Sequence, residues 1–108
     1  MRLYLVLLSF VCCAAQAAGF TGENTISSIH QRECAGDKGL EIMLAAPHKN
    51  PDGCNDPIVI DVACAAANYQ SILTLSLSAL AADKKVDYWV SGCDVHGQAK
   101  VITAMIKK

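Results

Sequence analysis

Residues 72–80 (ILTLSLSAL) decide what this chain folds into. Read in twos, Leu73, Leu75 and Leu77 alternate with Thr74, Ser76 and Ser78, the pattern of a half-buried strand. Read in threes and fours, Tyr69, Ile72, Leu73, Leu77 and Leu80 form one stripe, the pattern of an amphipathic helix. The flanks arbitrate. Residues 66–84 contain no Gly or Pro, and their Ala-Leu content favours helix. Residues 80–84 extend the helical stripe but break the alternation. Asn68 offers an N-cap, and Lys84 and Lys85 stand where the helix dipole favours positive charge. The segment predicts a helix, with its serines and threonine mainly on the outer or flanking face.

The rest of the chain reads as strands. Residues 25–33 are weakly patterned through Ile26 and Ile29, and residues 35–39 (AGDKG) form a turn. Leu40, Ile42 and Leu44 share one face of a second strand. Residues 47–57 hold all three prolines and form a long loop. Ile58, Ile60 and Val62 point inward from a third strand. Residues 86–91 and 100–106 supply a fourth and a fifth. Residues 18–25, with two glycines and little apolar content, form an N-terminal arm.

The first 17 residues read as a secretory signal peptide rather than as part of the fold. Arg2 precedes an uncharged apolar run over residues 3–13, and Ala15 and Ala17 occupy the two small-residue positions before a cut. Val11 precedes Cys12 where a lipoprotein signal places a small residue, which argues against a lipid anchor. Without Arg2 the chain has eight basic and ten acidic residues. That balance suits neither nucleic acid nor an anionic membrane.

A domain of this length buries only about 60–65% of its unfolded surface and needs staples. Cys34, Cys54, Cys64 and Cys93 remain after the cut, an even count that reads as two disulfides in an exported chain, secreted or periplasmic. Their spacings of 20, 10 and 29 contain no close pair of the kind a zinc site uses. The order of elements, β-β-β-α-β-β, is that of a five-stranded oligonucleotide/oligosaccharide-binding (OB) barrel over residues 26–108. In that topology the end of strand three lies beside the turn after strand one, so Cys64 meets Cys34. Strand four ends near the proline-rich loop, so Cys93 meets Cys54. These pairs are expected over the two other combinations.

Three stretches resemble the receptor-binding B subunits of bacterial AB toxins. Residues 20–25 (FTGENT) are similar to the aromatic-Thr-Gly-acidic start of the subtilase-cytotoxin and typhoid-toxin B subunits. Residues 57–64 (PIVIDVAC) resemble their third strand, which ends in a cysteine paired back toward strand two. Residues 82–86 and 98–105 resemble the helix end and last strands of the cholera-type subunit. The second half, with Gly92-Cys93-Asp94, also looks like a group of small exported bacterial proteins of unknown role. The resemblance implies an OB fold, export, a cell-surface glycan or toxin A-chain-like partner, and a homopentamer. The toxin subunits' sugar-binding Ser-Tyr segment has no match between Thr25 and His30, so no glycan-binding residue is carried over.

Strand four sets Val86, Tyr88 and Val90 against Asp87, Trp89 and Ser91. The aliphatic set is expected inside, leaving Asp87 and Trp89 (the only tryptophan) as candidate ligand or subunit contacts. Strand five is apolar on both faces. A barrel has one inside, so its second face, with Val101 and Met105, is a candidate subunit contact. His30, His48 and His96 read as solvated, with no close pair to hold a metal. Asp52, Asp56, Asp61, Asp87 and Asp94 could in principle supply paired carboxylates, but a domain this small leaves little room for a substrate cleft. No Gly-x-Ser-x-Gly elbow is present, and each mature cysteine has a partner. The expectation is a binding domain without catalysis or cofactor.

Overall fold

The computed structural model describes residues 17–34 and 39–108. The signal-peptide residues before Ala17, with Cys12 and Cys13, and residues 35–38 of the expected turn lie outside the described residues. Strands β1 (Gly19–Phe20), β2 (Ile26–Gln31), β3 (Leu40–Leu44) and β4 (Asp56–Val62) precede helix α1 (Tyr69–Ala82). Strands β5 (Lys85–Cys93) and β6 (Gln98–Lys107) follow it.

The strands form one mixed sheet in the order β1-β5-β6-β4-β3-β2. All pairs are antiparallel except β4 with β6. This corrects the expected closed five-strand barrel: among the described residues there are six strands, and the sheet order is open. The two outermost strands, β1 and β2, belong to one stretch of chain. The expected arm is therefore structured. Gly19 and Phe20 pair with Val90 and Trp89, and Asn24 bridges to Val86. The Thr21 N–H donates to the Tyr88 carbonyl (2.8 Å), and the Tyr88 N–H donates to the Thr21 hydroxyl (3.1 Å).

The core takes Leu40, Ile42 and Leu44 from β3, Ile60 and Val62 from β4, and Val86, Tyr88 and Val90 from β5. These are the inward sets that period-two alternation predicts. Ala99 and Val101 join them from β6.

Helix α1 forms where expected but turns a different face inward. Its buried residues are Tyr69, Ile72, Ser76 and Ala79. Leu73 is half-buried, and Leu77 and Leu80 are 48% and 38% exposed. Ser76, expected outside, is fully buried because its hydroxyl meets that of Tyr88 at 2.7 Å. Asn68 holds the N-cap position without a side-chain cap; its Nδ2 donates instead to the Ile102 carbonyl (2.6 Å). Asp83 ends the helix in the left-handed conformation, and the Lys84 N–H closes back on the Ala79 carbonyl at 2.9 Å. No basic residue lies in the last turn.

Two disulfides staple the sheet, Cys34 to Cys64 and Cys54 to Cys93, across sequence separations of 30 and 39. Among the described residues no helix is long and apolar enough to cross a membrane.

Candidate functional surface on the outer sheet

Alternation along β5 puts Lys85, Asp87 and Trp89 on the side opposite the core residues Val86, Tyr88 and Val90. Cross-strand register fills the rest of that face. Trp89 lies between Phe20 and Thr103, Asp87 opposite Met105, and Lys85 opposite Lys107. The Phe20 and Trp89 rings meet edge to face, with centroids 4.8 Å apart at 83°. That arrangement sets the positive edge of one ring against the negative face of the other. Trp89 is half-buried as a result, while Phe20 remains 45% exposed.

Asp87 corrects the sequence reading. It is only 7% exposed, because the arm and the end of β6 cover it. The Gly22 N–H donates to its Oδ1 (3.1 Å), and Lys107 Nζ lies 3.6 Å from its Oδ2. Lys107 also reaches Glu23 (3.4 Å), which in turn lies 3.9 Å from Lys85. Asp87 thus ties the arm to the sheet and has little capacity left for a ligand.

Val101 and Met105 were expected on one face and are split between two. The register steps from Trp89–Thr103 to Val90–Val101, so Ile102 is an extra residue in β6. A bulge of this kind reverses which side later residues face. Val101 is 4% exposed in the core, Met105 is 44% exposed outside, and Ile102 is exposed at the bulge. The Asn68 side chain occupies the Ile102 carbonyl. Val101 therefore does not belong to the surface.

The remaining carboxylates brace turns. Asp52 Oδ2 accepts from the Gly92 N–H at 2.6 Å, and Asp56 Oδ1 accepts from Ile58 and Val59. Asp94 Oδ1 accepts from the N–H groups of His96 and Gln98, both at 2.9 Å. Asp61 on β4 is 2% exposed, and burial first, then the charge of Asp94, pushes its carboxyl up to about 7. His48, expected in solvent, is buried; its Nδ1 accepts from the Asn50 N–H at 2.9 Å. Burial lowers its pKa, opposed by a backbone hydrogen bond at Asp56 and by the charge of Asp56. Among the described residues no group of three His, Cys, Asp or Glu is placed to hold a metal ion.

A second uncovered surface lies on α1, which the sequence reading placed against the core by its leucines. No residue of Tyr69–Ala82 is charged. Leu75, Leu77 and Leu80 are all exposed, beside a shallow hollow of about 370 Å³ lined by Gln70, Ser71, Thr74 and Leu75. A helix with a wet outer face ordinarily carries charge there.

Comparison of the chain with protein-family models, with curated proteins and with solved structures found no match.

Proposed function

We propose that this is an exported binding domain, similar in role to the B subunits of bacterial toxins, that assembles with copies of itself and recognises a cell-surface glycan or a partner chain. The observation that carries the reading is the uncharged helix α1 with three exposed leucines. Uncovered leucines on a rigid element favour burial against another chain. A face without charge meets its own copies without like-charge repulsion. The Phe20–Trp89 pair, with Met105 and Thr103 beside it, offers a separate platform on which a sugar ring or a partner's apolar side chain stacks.

The finer fold reading belongs to the same proposal. Residues 19–24 pair with β5, residues 26–31 pair with β3, and β4 runs parallel to β6. This connectivity supports an OB-like arrangement in which one bent first strand serves both neighbours.

Native mass spectrometry of the oxidised protein across a dilution series tests the assembly. The expected result is a multi-subunit species, five copies for a toxin-like ring. A monomer at every concentration overturns the ring and leaves a monomeric exported accessory or inhibitor. Glycan-array binding by wild type and by Trp89→Ala then tests the platform.

A further inference from the structure

His48 lies in the proline-rich loop before β4. Its side chain is buried, its Nδ1 accepts the Asn50 N–H at 2.9 Å, and its own N–H donates to the Pro57 carbonyl at 2.8 Å. A ring nitrogen that accepts carries no proton, so the neutral imidazole keeps its proton on Nε2. Protonation must place the second proton on Nδ1, where the Asn50 N–H already points. Two donors then face each other, and the hydrogen bond is lost. The imidazolium is also a charge that water scarcely reaches, which adds to the cost.

Asn50 organises the turn that follows. It holds a left-handed φ of 46°, and its carbonyl accepts from the Gly53 N–H at 3.0 Å. Its Oδ1 accepts from the Cys54 N–H at 2.9 Å, and its Nδ2 donates to the Cys54 carbonyl at 2.6 Å. The same stretch of chain holds the N-terminal arm. The Lys49 N–H donates to the Thr21 carbonyl at 3.0 Å. The Asn24 side chain donates to the Ala46 carbonyl at 2.8 Å and accepts the Ala46 N–H at 3.3 Å. A Cβ on Gly19 would lie 3.2 Å from the Pro51 side chain. That arm presents Phe20 to Trp89.

We propose that His48 is an acid switch: its protonation expels the Asn50 N–H, opens the loop and frees the arm, so that the Phe20–Trp89 platform is whole at neutral pH and comes apart in acid. The groups around the ring leave burial in control. From the start of β4, the charge of Asp56 and a backbone hydrogen bond there favour the imidazolium, and burial outweighs both. Asp56 Oδ1 is taken up by the Ile58 and Val59 N–H groups. From the loop itself, Lys49 is exposed, and Asp52 accepts the Gly92 N–H. From the arm, Glu23 reaches Lys85 and Lys107. From β6, Gln98 stands in register with Asp56 and is neutral. The regulatory meaning rests on the platform proposed above. The switch itself is read without any ligand, so its failure and that of the platform are told apart.

The test is amide hydrogen exchange of the oxidised protein from pH 4 to 8, with an NMR titration of the His48 ring. Opening takes up one proton. Protection of the Asn50, Lys49 and Thr21 amides is therefore expected to fall about tenfold for each pH unit below about 6.5, until the buried ring itself titrates. Asp61 changes stability in the opposite sense and cannot mimic that fall. In His48→Asn the side-chain oxygen accepts the N–H two residues on, as in an Asx turn, and takes no proton. Protection of the three amides is then expected to hold through the same window. Unchanged protection in wild type overturns the proposal, as does an equal fall in His48→Asn. So does an Asn50 amide that opens while Lys49 and Thr21 stay protected. Where His48→Asn does not fold, the wild type decides alone: a His48 ring that titrates at or above 6.5 overturns the switch.

Discussion

The hydroxyls of Ser76 and Tyr88 meet 2.7 Å apart in the middle of the core, the one on the helix and the other on β5. Burial pushes the Tyr88 hydroxyl pKa up to about 12, with Ser76 opposing the shift. Removing one hydroxyl strands the other, at a cost of about 1–3 kcal/mol. The two losses are unequal. A serine left alone in a helix turns its hydroxyl to the carbonyl four residues back, whereas a tyrosine hydroxyl has no such local partner. Ser76→Ala is expected to destabilise more than Tyr88→Phe, and the double variant less than the sum of the two. Urea unfolding of the three variants gives the coupling.

The two disulfides close loops of 30 and 39 residues. On chain entropy alone each contributes about 3.5–4 kcal/mol. Reduction is expected to unfold the domain at room temperature, read by the loss of the near-ultraviolet circular dichroism. A reduced protein with unchanged ellipticity would show that the core suffices without them.

Gly39 lies against the end of β4. A Cβ there would fall on the Val62 carbonyl oxygen and 2.8 Å from the Cys64 backbone nitrogen. Both are backbone atoms, so no side chain can step aside. Gly39→Ala is expected to cost at least about 1–3 kcal/mol, as overpacking does. Its melting temperature, compared with that of Gly53→Ala, checks this: Gly53 has open space around it, so that variant pays only for its φ of 62°.

Trp89 is the only tryptophan, so its fluorescence reports one place. Phe20 shields it from β1. Phe20→Ala is expected to shift the emission to the red while the far-ultraviolet circular dichroism stays unchanged. If Phe20 and Trp89 lie in a subunit interface, the emission of wild type moves the same way on dilution.

Stability against pH follows from Asp61. Its folded pKa lies above its unfolded value of 3.8, so between about pH 4 and 7 the folded state holds more protons than the unfolded state. Stability therefore falls as pH rises through that window, by up to about 1.4 kcal/mol per unit, and levels off above it. His48 acts in the other direction. Its lowered pKa means that stability is lost as pH falls below about 6.5. Melting curves from pH 4 to 8 should show the difference between wild type and Asp61→Asn shrinking toward acid, where both carry a neutral side chain at position 61. A pH-independent difference would be inconsistent with a raised Asp61 pKa.

The sequence made five of the six described strands and the helix legible, because β3, β4 and β5 alternate cleanly and residues 69–82 lack Gly and Pro; β1, two residues beside glycines, read as an arm. The rotation of the helix was not legible. Leucines outnumber the places facing the core, and only the approach of the Tyr88 hydroxyl makes Ser76 the better buried residue. The β6 bulge at Ile102 carries no glycine to mark it, so Val101 and Met105 looked alike. Asp87 looked exposed because the arm that covers it lies 65 positions away in sequence.

Both margins of the sheet come from a single thread, residues 19–31. An ordinary open sheet can fray at one side while the other stays closed. Here, peeling that thread bares the flank of β5 and the flank of β3 together, two rows of unpaired backbone at once. The thread works like the drawstring of a purse: while it is docked, neither β5 nor β3 offers an open edge to another chain.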